Sequence, residues 1–187
     1  MKLDNISNRP HQRIHVVQGD HQVSGDPNTV FTTILGSCVA VCMTDPVRGV
    51  GGMNHFLLPG GRNDGADEGR RYGVNLMELL INDLLRLGAK RERLQAKLFG
   101  GARMFDGLSD VGASNAAFAE KFLRDEGIPV VGSSMGGVEA RRVQYWPTTG
   151  RAQQRTVTDN ADLAALRQRN KPAPVPAAVD DGAVELF

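Results

Sequence analysis

The sequence predicts an α/β domain in which helices cover the faces of a mixed sheet, and three observations lead there. Short β-branched and apolar runs recur between Gly, Asp, Pro and Asn punctuation. Two longer segments carry apolar residues at helical spacing. Strand-like runs stand on both sides of each helical segment. At 187 residues the chain is long enough to bury a substantial core. We expect one domain over 1–158. The remainder, 159–187, holds one short helix-like run, LAALRQR, before NKPAPVPAAVDDGAVELF, whose Pro and Ala content predicts a flexible tail.

Taken in order, IHVV, TVFTTIL, CVAVCM and GVGGMNHFLL read as consecutive strands separated by turns such as GDPN and TDPVRG. A polar, Gly-rich link, PGGRNDGADEGRR, follows. Val74, Met77, Leu80, Ile81, Leu84 and Leu85 then recur at helical spacing until Gly88 supplies a stop. LQAKLFGG reads as a strand running into a glycine turn. Phe118, Phe122 and Leu123 mark the inner face of a second helix that ends near Gly127. IPVVGSS, RRVQYW and RAQQRTV complete the pattern as strands, the last two joined by PTTG as a hairpin.

Lys plus Arg is 22 against 21 for Asp plus Glu, so no strong net field draws the chain to nucleic acid or to an anionic membrane. The opening MKLDNISNRPHQRIHVV has no continuous apolar stretch, and no later run is long enough to cross a bilayer. We therefore expect a cytoplasmic protein with no direct membrane insertion. Two cysteines, Cys38 and Cys42, are expected to stay thiols there, and two thiols are too few for a structural zinc site.

The densest cluster of reactive residue types is TTILGSCVAV followed by His55 in GGMNHFLLP. A thiol attacks as thiolate, so a nucleophilic cysteine wants an imidazole neighbour, and adjacent strands would bring Cys38 and His55 together. Gly36 and Ser37 before Cys38 permit a tight turn whose backbone N–H groups, near Ser37 and Cys38, can face a developing oxyanion. Core filling is the ordinary role of a Cys on an apolar strand, and Cys42, inside VAVCM, fits it well. Cys38 fits it less well, because it follows the Gly-Ser break. His55 lies among apolar residues, where a ring must find a hydrogen-bond partner, and a satisfied core histidine is the competing reading.

An imidazole base also needs a group to fix its tautomer. If TVFTTIL is a regular strand, Thr32, Ile34 and Gly36 share a face and Thr33 points the other way, so only one of the two threonines can serve. Thr32 is the candidate, with plain β propensity as its alternative. His11, His15 and His21 read as solvated or strand-edge residues. GGARMF and GSSMGG lack the spacing of a phosphate loop and read as tight turns lining the site. Asp45, Asp64 and Asp67 fall in turn or linker contexts and form no convincing metal cluster.

The string TTILGSCVAVCMTDPVRGVGGMNHFLLP, with GGARMF and GG-x₃-RRVQYWPTTG downstream, resembles the chemoreceptor glutamine deamidase family, CheD. The likeness runs from about Ile14 to Val157. It implies packed mixed sheets flanked by helices, an α/β/β/α-like sandwich related to toxin deamidase catalytic domains. It also implies that Cys38 is the nucleophile and His55 the base, and the family's orienting threonine falls on Thr32.

The implied reaction converts glutamine side chains in the cytoplasmic domains of methyl-accepting chemotaxis receptors to glutamate, releasing ammonia, with no cofactor and no metal. Receptor cytoplasmic domains would be one partner and a CheC-type chemotaxis phosphatase, which some members bind, a second. Two other readings stand beside it: an adaptor that binds receptors without turnover, and a similar hydrolase with another amide substrate.

Overall fold

The computed structural model describes residues 11–58, 65–104 and 111–158, together with Ala164. The expected tail, Ala164 apart, lies outside the described residues. Along the chain run β1 (Gln12–His15), β2 (Asp20–Ser24), β3 (Thr29–Leu35), β4 (Val39–Asp45) and β5 (Val50–Phe56). Helix α1 (Gly65–Arg86), one 3₁₀ turn at Arg91–Arg93, β6 (Gln95–Gly100) and α2 (Val111–Asp125) follow. The order ends with β7 (Val130–Met135), β8 (Arg141–Trp146) and β9 (Arg151–Thr156).

The strands form a four-stranded sheet, β1-β3-β8-β9, and a five-stranded sheet, β2-β5-β4-β6-β7. Both are mixed: β1 runs parallel to β3 and β6 to β7, and the other pairs are antiparallel. Phe31, Leu35, Ala40, Met53, Val143 and Tyr145 fill the space between the sheets. On the far face of the five-stranded sheet Val39, Val41 and Met43 pack with Leu80 and Ile81 of α1 and Phe122 and Leu123 of α2. Strand β4 is therefore buried on both faces, which explains its unbroken apolar run.

The expected α/β fold with packed mixed sheets is thus observed. Both described helices lie on the five-stranded sheet, so the layers among the described residues are helix, five-stranded sheet, four-stranded sheet. Helix α1 stops as anticipated: Gly88 takes φ +88°, and Gly88 N–H and Ala89 N–H donate to the carbonyls of Leu85 and Leu84. Val74, expected on the inner face, is 39% exposed, and Leu76 is buried in its stead.

Asp45 does more than occupy a turn. Its carboxylate is fully buried and accepts from the backbone of Val47, Arg48 and Lys90 and from the Arg93 guanidinium, at 2.6 Å from Nη2. Those donors, Arg93 foremost, hold its carboxyl far below the usual carboxylate range. The link ties the β4–β5 turn to the segment entering β6.

Candidate active site

Cys38 and His55 share the inner face of the five-stranded sheet. In the antiparallel β4–β5 pair, Ala40 stands opposite His55 and Cys42 opposite Met53. Cys38, Ala40, Cys42 and Met53 all belong to the core between the sheets, so strand alternation puts Cys38 and His55 on that face as diagonal neighbours. Such pairs have Cβ atoms roughly 7 Å apart, a span an imidazole bridges.

The ring is held from the opposite sheet. Thr33 Oγ1 lies 2.9 Å from His55 Nδ1 and donates its one proton to the Val16 carbonyl at 2.8 Å. The Thr33 oxygen must then accept from the ring, and the Val16 carbonyl, 3.3 Å from Nδ1, can only accept as well. Nδ1 therefore carries the proton in neutral His55, and the buried Nε2 is the basic nitrogen.

Thr32 is not the residue in this contact. It pairs in register with His15 and Gln144, is only half-buried, and its side chain leaves from the other face of β3. The strand alternates as expected, and the ring lies on the Thr33 face of β3, opposite to the face that carries Thr32. Phe31, Thr33 and Leu35 are the buried inner set, and the bulky apolar residues flanking Thr33 were the signal that identifies it.

The two thiols differ sharply. Cys42 is fully surrounded by core, and burial pushes its thiol far up, only partly countered by Lys97. Cys38 is 2% exposed, yet its Sγ lies 3.4 Å from the side-chain oxygen of Gln18, an exposed residue on the turn between β1 and β2. Gly19 N–H donates to the His55 carbonyl at 2.7 Å, pinning that turn beside the ring. Tyr72 on α1 also borders the thiol: burial first, and the nearby Cys38 charge second, raise its phenol above the ordinary value.

The turn carrying Cys38 is fixed on three successive carbonyls. Gly36 O accepts from Ala102 N–H and Cys38 O from Gly101 N–H, each at 2.8 Å. Ser37 O accepts from Asn115 Nδ2 at 3.0 Å. The first glycine cluster thus buttresses this turn, and the second is tied to the first through Gly136 N–H to Gly100 O. A Cβ at Gly100, φ +111°, would fall 2.1 Å from the Cys38 carbonyl, so only glycine permits this approach. Gln18 and Asn115 were not anticipated as site residues.

A family model described as CheD chemotactic sensory transduction matches residues 57–156. A probable chemoreceptor glutamine deamidase CheD of Caulobacter vibrioides is 62% identical over 179 residues, covering 94% of this chain and 93% of that one. A protein of the same description from Rhizobium rhizogenes is 56% identical over 180 residues, covering 94% and 96%. Among solved structures, Bacillus licheniformis hypothetical protein YfiH is similar at 15% identity and a TM-score of 0.41, covering 71% of this chain and 61% of that one. Identity sustained over nearly the whole length places the chain in one family: it belongs to CheD.

Proposed function

We propose that this protein deamidates specific glutamine side chains in the cytoplasmic domains of chemotaxis receptors. The observation that carries this reading is the imidazole held by Thr33 and Val16, its basic nitrogen on the side of the ring away from them, on the same sheet face as the Cys38 thiol. His55 Nε2 takes the thiol proton and the Cys38 thiolate adds to the glutamine side-chain carbonyl. The tetrahedral oxyanion faces backbone N–H groups of the Ser37–Cys38 turn. As it collapses, the C–N bond breaks and His55 passes its proton to the departing ammonia. Water, deprotonated by the same nitrogen, then opens the thioester to give glutamate. The chemistry draws only on protein groups and water.

The protein acts in the cytoplasm, where its substrates present their signalling domains. No helix among the described residues is long and apolar enough to cross a membrane. The new carboxylate changes receptor charge with little change of shape, which biases signalling states electrostatically. A CheC-type phosphatase is the second partner, a reading supported by the family resemblance.

Incubation with a receptor cytoplasmic fragment tests the proposal. Mass spectrometry is expected to show amide-to-acid conversion at particular glutamines. Binding with no mass change would contradict it and favour an adaptor.

The orienting role belongs to Thr33. Thr33→Val is expected to lower kcat about five- to tenfold, the worth of one neutral hydrogen bond, and Thr32→Val to leave it at the wild-type value. Steady-state kinetics on the same fragment would show it, and the reverse ranking would return the role to Thr32.

A further inference from the structure

We propose that Asn115 is a positioning residue for this reaction: by holding the Ser37 carbonyl on the helix side of the sheet, it aims the Cys38 N–H at the oxyanion. The inference rests on the deamidation reading and adds to it the device that orients its oxyanion donor.

Asn115 sits in α2 with 0% exposure. Burying a carboxamide in a helix–sheet interface costs free energy unless its polar atoms are matched, and α2 already docks through Ala119, Phe122 and Leu123. Both halves of the Asn115 amide are matched. Nδ2 donates to Ser37 O at 3.0 Å, and Oδ1 accepts from Leu58 N–H at 2.8 Å. The amide orientation follows from its partners, because a backbone N–H only donates and a carbonyl only accepts. One side chain thus joins the residue before the nucleophile to the segment that leaves β5 just beyond His55.

Geometry gives that bond its consequence. In a planar trans peptide the C=O and N–H point in opposite directions, and the Ser37 carbonyl shares its plane with the Cys38 N–H. Helix α2 packs on the Val39 face of the five-stranded sheet, while the Cys38 side chain belongs to the opposite face, with His55. Drawing the Ser37 carbonyl toward α2 therefore sends the Cys38 N–H to the side of the sulfur. That is where a carbonyl attacked by Cys38 develops its negative charge. The carbonyls of Gly36 and Cys38 are held by backbone N–H groups, whereas the middle one is held by the Asn115 side chain. Replacing Asn115 removes that hold on the Ser37 carbonyl and leaves both backbone anchors in place.

The test compares wild type, Asn115→Leu and Asn115→Asp by kcat and KM on a receptor cytoplasmic fragment. Alongside it runs the rate of Cys38 alkylation by iodoacetamide, a displacement at carbon that builds no oxyanion. Asn115→Leu is expected to lower kcat about ten- to a hundredfold. Its KM and its alkylation rate should stay within about threefold of wild type, since neither depends on a donor realised only in the transition state. Asn115→Asp is expected to recover relative to wild type as pH falls, because a protonated carboxyl can again donate to Ser37 O.

Wild-type kcat in Asn115→Leu would overturn the proposal. So would a parallel fall in kcat and alkylation, which would mean that Cys38 itself has moved. If Asn115→Leu does not fold, the pH dependence of Asn115→Asp decides, and a flat ratio to wild type overturns it. Absence of turnover by wild type would overturn the deamidation reading as well, a result distinct from turnover that is insensitive to Asn115.

Discussion

Cys38→Ala is expected to reduce receptor deamidation by at least about a thousandfold, whereas Cys42→Ala should retain activity within about threefold. The contrast follows from where the two sulfurs sit relative to β4. Both face the core between the sheets, but Cys42 is enclosed there and burial keeps it a thiol. Cys38 stands just before β4, beneath an exposed glutamine and diagonal to His55 across the β4–β5 pair. Truncating Cys42 removes a packed sulfur and costs about 1 kcal/mol of stability, with no reacting atom lost. Truncating Cys38 removes the atom that would carry the acyl group. Parallel assays of both variants by receptor-fragment mass would show this, and equal activity losses would contradict it.

Asp45→Ala should destabilise the fold by about 3 kcal/mol, seen as a lower denaturant midpoint with the two-state slope retained. The carboxylate is fully buried and its guanidinium partner only partly exposed, so removing it strands the Arg93 charge and three backbone donors together. The pH dependence has a definite sign. The native carboxyl is depressed below its unfolded value, so its contribution is complete above the unfolded pKa of about 4 and is lost as pH falls from there toward the native value. Wild type should therefore lose stability on acidification through this window, and Asp45→Asn should lose less. Identical acid profiles would contradict the assignment.

Most strands and both helices were legible because apolar periodicity records burial directly. TVFTTIL, VAVCM and the Met77–Leu80–Ile81–Leu84 series all face cores. β2 escaped because DHQVS offers one strongly apolar residue at a half-buried sheet edge, where pattern carries little information. The placement of Cys38 and His55 on one sheet face was legible from the Gly-Ser break and the polar ring in an apolar strand. Thr33 was lost to a single error of face, to which a period of two is unforgiving.

Gln18 and Asn115 had no local signature. They are single polar residues whose partners lie 20 and 78 positions away along the chain, so their placement comes from topology and not from composition. Asp45 was recognised as a turn residue, but its ion pair with Arg93, 48 positions distant, was invisible for the same reason.

The most direct measurement is partitioning by hydroxylamine, which intercepts a thioester before water does. Wild-type enzyme turning over a receptor fragment in hydroxylamine should leave the target glutamines partly as hydroxamates, with the yield rising with hydroxylamine concentration and vanishing in Cys38→Ala. Glutamate as the sole product at every hydroxylamine concentration would mean that no acyl group passes through the Cys38 sulfur.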